Sequence, residues 1–173
     1  MIKIRYRKNK QMIVLSYDPA SLKNMGVAVC SIDVKTKKIK VLESYTEVFD
    51  VSLENKDRRL IVIKNVTEGL IKKHGVNVVT IERSMGFGKH FVRNQLSEGT
   101  GVIKLVACQK NVPIVEISPG TLKKQITGNG RASKKEVMEA ILKMFSLDKK
   151  NLSSEHEADA LGVCYAYSKI MDK

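Results

Sequence analysis

The chain is predicted to fold as an α/β domain with a central mixed five-stranded sheet flanked by helices. Three observations support this. Three runs of strand formers open the chain, later strands alternate with amphipathic helices, and no internal repeat or long linker divides the 173 residues. With 43% apolar residues, a chain of this length can bury a sizeable core. That excludes a disordered or peptide-like chain.

Residues 13–17 form the first strand, which stops at Asp18-Pro19 because proline has no N–H to continue a ladder. Asp18 therefore stands at a strand's C-terminal end. Residues 26–32 and 39–49 read as two further strands joined by a polar turn at 35–38, an antiparallel meander. Over 56–74, Leu60, Ile63, Val66, Thr67, Leu70 and Ile71 recur at helical spacing, and Gly75 stands where a C-terminal cap belongs. Residues 76–81 make a buried strand that ends in Glu82, so two strands each deliver a carboxylate at their ends.

A glycine-bearing segment, 83–89, leads to a helix over about 90–110, whose Gly99 and Gly101 would allow close packing against a sheet. Residues 112–117 form the fifth strand. Ser118 and Pro119 cap and open a short helix carrying Lys123 and Lys124, and Gly128-Asn129-Gly130 breaks it. Ser133 and Glu136 have capping-box spacing ahead of the stripe Val137, Ala140, Ile141, Met144 and Phe145. After a polar link at 146–154, the last helix carries Ala160, Val163, Cys164, Tyr167 and Ile170 as its apolar stripe.

The net charge of +13 is local: residues 1–40 contribute +8 and 123–150 contribute +5, while the remainder cancels. Such clustering points to a phosphate-rich partner, against the plainer reading of a solvated lysine-rich surface. Cys30, Cys108 and Cys164 are far apart and set among apolar residues, which suits buried thiols in a reducing compartment and no zinc spacing. No apolar run has the length of a membrane span and the first residues lack a signal-peptide core, so a cytoplasmic protein is expected.

The last helix begins Glu155-His156-Glu157-Ala158-Asp159, and His156 and Asp159 share the face above the buried stripe. If the strands ending in Asp18 and Glu82 are neighbours, four potential metal ligands converge at one end of the sheet. Hard oxygen ligands suit Mg2+ or Mn2+, and two such ions about 4 Å apart can activate water and stabilise a leaving oxygen in phosphodiester displacement. Each residue has a plainer role alone: Asp18 as a turn residue, Glu82 as a surface partner of Arg83, the helix-start acids as dipole partners. Their coincidence at two strand ends and one helix face favours the joint site.

In the segments 13–20, Thr80-Ile81-Glu82, 99–107, 128–137 and 155–161, the chain resembles the RuvC Holliday junction resolvases of the RNase H-like nuclease superfamily. The resemblance runs from about Met12 to the last helix. It implies an RNase H-like fold and a crossover junction endodeoxyribonuclease with two Mg2+ or Mn2+ ions per site. Asp18 would bridge both ions, Glu82 would hold one, and Asp159 with His156 the other. Many members carry Asp where His156 stands, although His is also used, and Glu155 and Glu157 compete for that role. The resemblance further implies a homodimer that cuts four-way junctions during DNA recombination and repair, leaving 5′-phosphate and 3′-hydroxyl ends. Activity on RNA or an RNA–DNA hybrid, and a catalytically weak branched-DNA binding protein, are the alternatives.

Lys123, Lys124, Arg131, Lys134 and Lys135 bracket the glycine break and a helix start, where backbone N–H groups also favour anions. Lys123 and Lys134 match basic positions of the resolvases. After Glu82 the family carries a phenylalanine at the spacing that Met85 occupies here, and Phe87 follows two residues later between glycines. Either side chain is a candidate to wedge against unpaired bases, whereas Phe91 reads as core. Residues 1–11 precede the usual family start and form a basic extension to a nuclease domain over 12–173. Ile2, Ile4 and Tyr6 alternate there with Lys3, Arg5 and Arg7, either as an added edge strand or as a DNA-binding arm. No surface for a branch-migration partner is recognisable.

Overall fold

The structure is a computed structural model that describes residues 11–19, 21–50, 52, 57–83, 90–148, 152 and 154–172, with the backbone alone at 90–95. Three strands come first: β1 (Gln11–Asp18), β2 (Asn24–Asp33) and β3 (Ile39–Val48). Then follow α1 (Arg58–His74), β4 (Val78–Glu82), α2 (His90–Gln109) and β5 (Ile114–Ile117). The helices α3 (Pro119–Thr127), α4 (Lys134–Phe145) and α5 (Glu155–Ile170) close the described chain. The sheet order is β3-β2-β1-β4-β5; β1, β2 and β3 pair antiparallel, and β4 pairs parallel with β1 and β5. The mixed five-stranded sheet and its meander match the expectation from sequence, with β1 starting at Gln11.

Strand alternation divides the core between the two faces. Met12 and Val14 of β1 and Ala28, Cys30 and Ile32 of β2 turn toward α3, α4 and α5. Ile13, Leu15, Tyr17, Val27 and Val29 turn toward α1 and α2. On this second face the Tyr17 hydroxyl meets Thr67 Oγ1 of α1 at 2.9 Å, so the buried phenol has a partner.

The expected helix signals operate locally. Gly75 ends α1 in the left-handed region at φ 61°, donating its N–H to the Ile71 carbonyl. Ser118 caps α3 ahead of Pro119, and Ser133 with Glu136 completes the capping box of α4.

Helix α5 departs from a one-sided stripe. Ala158, Leu161, Gly162 and Ala166 are buried as well as Ala160, Val163, Cys164 and Tyr167, because α3 and α4 cover the side away from the sheet. A Cβ on Gly162 would lie 2.9 Å from Ile141 Cδ1 and 3.0 Å from Ile126 Cδ1, so α3 and α4 close over a position with no side chain. Other expectations need correction. Gly99 packs on Ile63 and Arg59 of α1 rather than on the sheet, and a Cβ added at Gly101 would meet no neighbouring element within 4 Å among the described residues. Cys108 is exposed, unlike Cys30 and Cys164, and Met144 is on the exposed side of α4. Among the described residues no helix is long and apolar enough to cross a membrane. Residues 1–10, Met85 and Phe87 lie outside the described residues, as does the Phe91 side chain.

Candidate functional site

On the α3–α5 face, side chains grow more polar toward one end of the two central strands. In β1 the column runs Met12, Val14, Ser16, Asp18; in β4 it runs Val78, Thr80, Glu82. Ser16 and Thr80 are register partners whose hydroxyls meet at 2.8 Å, fully buried, and this bridge satisfies both before the carboxylates emerge. Parallel pairing of β1 with β4 thus puts Asp18 and Glu82 on neighbouring strand ends.

The third element arrives because β2 has no side chain at the critical place. Gly26 is the register partner of Asp18, and a Cβ built on it would lie 1.8 Å from the His156 carbonyl oxygen. The first turn of α5 therefore rests directly on the strand, which brings His156 Nδ1 to 3.2 Å from Asp18 Oδ2. Ligand atoms of Asp18, His156 and Asp159 all lie within 4.8 Å of one another.

Asp18, Glu82 and Asp159 line one cleft of ≈ 340 Å³, with Lys123 and Lys134 on its wall and Leu96, Leu122 and Val137 supplying apolar surface. Burial, then repulsion from Asp18 and Asp159, pushes the Glu82 carboxyl up to about 7, against the pull of Lys123 and Lys134. Burial, then Asp18, raises Asp159 to about 6, against Lys134 and His156. The hydrogen bond to Asp18 raises His156 despite its partial burial. Three carboxyl groups thus share a space too small and too dry for their charges. Two carboxylates and an imidazole in mutual reach, with a third carboxylate beside them, match the donor set of a divalent cation, which would relieve that repulsion.

The other expected residues divide into cleft and rim. Lys123 and Lys134 line the cleft, and Lys134 Nζ pairs with Glu155 at 2.8 Å. Lys124, Arg131 and Lys135 are exposed outside it, with Lys135 loosely paired to Glu139 at 3.9 Å. The two competitors of His156 are turned elsewhere: Glu155 toward Lys134, Glu157 toward Ser44 Oγ, which donates to it at 2.6 Å. Arg83, read from sequence only as a surface partner of Glu82, lines the cleft beside it. Its signal was available: a cation directly after a strand-end acid.

The family described as "Crossover junction endodeoxyribonuclease RuvC" matches residues 14–167. A protein of that name from Clostridioides difficile is 29% identical over 168 residues, covering 94% of each chain. Its counterpart from Mycobacterium sp. strain KMS is 30% identical over 121 residues, which span 68% of this chain and 64% of the relative's length. Among solved structures, Thermus thermophilus RuvC in complex with a Holliday junction substrate superposes with a TM-score of 0.79 at 19% identity, covering 91% of this chain and 93% of the other. At that identity the superposition speaks for the fold.

Proposed function

The chain belongs to the RuvC family of crossover junction endodeoxyribonucleases, and from that premise we propose that it is a metal-dependent endonuclease cutting Holliday junctions and other branched DNA in recombination. The observation that carries the reading is the convergence of Asp18, His156 and Asp159, with Glu82 in the same cleft. The DNA-bound Thermus relative supports the substrate class.

On this reading Asp18, Glu82, His156 and Asp159 would hold Mg2+ or Mn2+, two ions as the family resemblance implies. Such ions, when bound, supply an activated water and stabilise the leaving oxygen. The chain's own residues do the rest. To act as ligands, Glu82 and Asp159 would have to lose the protons that their crowded cleft favours, and His156 would have to be neutral. Lys123 and Lys134 draw the phosphate into the cleft, where Leu96, Leu122 and Val137 thin the water and strengthen each charge interaction. Lys124, Arg131 and Lys135 extend the phosphate track along the rim, and Met85 or Phe87 wedges the junction.

The working unit is a homodimer acting in the cytoplasm, each copy a single nuclease domain over 12–173 with 1–11 as a basic extension. Exposed Ile61 and Leu105, on the two helices covering the face opposite α5, offer apolar surface for self-association. Sedimentation at working concentration tests the dimer. The activity is tested on four-way junctions, duplex and RNA–DNA hybrid with Mg2+ or Mn2+, using Asp18→Asn as the control. Junction nicking should fall by on the order of 10²- to 10³-fold in the variant, the scale of losing one group that stabilises the transition state. Unchanged nicking would sink the assignment.

A further inference from the structure

Three consecutive strands meet in one row at the candidate metal centre. Asp18 of β1 pairs with Gly26 of β2, and Gly26 pairs with Thr46 of β3. The next row on the same face is Ser16, Ala28 and Ser44. The two smallest side chains thus fall on the middle strand. They form the floor of a trough with Ser16 and Asp18 along one wall and hydroxyls of β3 along the other.

The first turn of α5 lies in this trough, and β3 holds it at two points. Glu157, 6% exposed, accepts from Ser44 Oγ at 2.6 Å. Ser154 Oγ meets Thr46 Oγ1 at 2.5 Å while accepting the His156 N–H at 3.0 Å. The His156 backbone is therefore fixed from both sides: its N–H by a serine tied to β3, its carbonyl by contact with Gly26. Glu157 sits between His156 and Asp159 in sequence yet turns away from the cleft. A short hydrogen bond to a largely buried carboxylate is worth more than one between neutral groups, and a carboxylate so buried needs such a partner.

We infer that Ser44 and Thr46, on the edge strand β3, are positioning residues for the metal centre, acting through Glu157 and Ser154 on the helix that carries His156 and Asp159. The inference rests on the metal-centre reading above. Asp18 and Asp159 repel each other, and the 3.2 Å bond from His156 to Asp18 is the one that a bound cation would displace, so a helix start without further polar ties would drift from β1. The ties to β3 oppose that drift and set the separation at which His156 and Asp159 face Asp18. Groups that orient ligands in this way commonly change metal affinity by about 10- to 100-fold when removed.

The test is Mn2+ binding to the free protein, followed by calorimetry or by the electron spin resonance of unbound Mn2+, without DNA. Ser44→Ala should weaken binding by about 10-fold, Thr46→Val should weaken it in the same direction, and Ser44→Thr, which keeps the hydroxyl, should restore it. If Ser44→Ala and Thr46→Val bind Mn2+ as tightly as the wild type, whatever their melting temperatures, the ties are merely structural and the inference is overturned. If the wild type itself binds no Mn2+, the metal-centre reading fails and takes the inference with it. The two failures are told apart by the wild-type titration alone.

Discussion

Asp18 enters the cleft from inside the sheet with its side chain 6% exposed, whereas Lys134, on the opposite wall, has 62% of its side chain exposed. The acids are placed by contacts far apart in sequence: Asp18 by β1, Glu82 by β4, His156 and Asp159 by a helix seated across three strands. The cations are placed by local signals, a serine cap and a capping box beside a glycine break. A buried carboxylate has no room to turn away from its neighbours, so its charge is met in place: Asp18 by the His156 hydrogen bond, Glu82 and Asp159 by nearby cations, by protons or by an entering metal ion. An exposed lysine does turn, and Lys134 already does so toward Glu155. On the proposed function the acidic side therefore governs chemistry and the basic side governs affinity, and variants should separate the two.

The largest separation should come from Gly26→Ala. Its new Cβ would meet the His156 carbonyl, which is backbone, so the start of α5 must move off β2. A displacement of about 1 Å at a catalytic centre can cost on the order of 10²-fold in rate. Junction nicking should fall by at least that much, and Mn2+ binding with it, while gel-shift affinity for the junction stays near wild type. Equal losses in nicking and in DNA affinity would break the division of labour.

Much of this architecture is legible in the sequence, because it follows local rules. Proline after Asp18, the β4 run ending in Glu82 and the caps at Ser118 and Ser133 each announce themselves within a few residues. So does the pairing of His156 with Asp159 on one helical face. The choice among Glu155, His156 and Glu157 is not local. Lys134 and Ser44, 21 and 113 positions away from their partners, draw the two glutamates aside. Helical spacing carries no trace of Ser44 or Thr46, since their role depends on strand register and on the small residues between. The same holds for Gly99, whose neighbour is α1, and for α5, whose outer side is covered by helices that periodicity alone does not position.

On the basic side, smaller and graded losses are expected. Lys123→Ala and Lys134→Ala should each weaken junction binding several-fold and reduce the slope of log affinity against log salt by about 0.9. The exposed Lys135 should matter less than either, because it stands outside the cleft. Nicking at saturating DNA should change less than affinity. A salt series on each variant checks this, and a slope equal to wild type would remove Lys123 and Lys134 from the phosphate track.

The smallest effect is read in stability; its sign is set mainly by the acidic side, and Glu47 on β3, raised by burial, adds in the same direction. Glu82 and Asp159 titrate at about 7 and about 6 in the folded chain, above their usual values, because burial and mutual repulsion favour the proton. His156 is raised as well, by Asp18. A group whose pKa is raised by folding contributes stability that is complete below its unfolded value and is lost as pH rises through its folded value. All three therefore make the metal-free protein less stable between about pH 5 and pH 8. Glu43 and Glu68 are shifted downward by their lysine partners, so their contributions are already complete by about pH 5 and stay level across this window. In chelator, the melting temperature should fall by a few degrees from about pH 5.5 to pH 8, and Glu82→Gln should shrink that fall. Mg2+ binds the deprotonated site, so it should raise the melting temperature at pH 8 and hardly at pH 5.5. A metal-free protein equally stable at both pH values would mean that the carboxylates are not confined as the cleft geometry requires. The contrast between a rigid acidic side and a yielding basic side would then fail at its base.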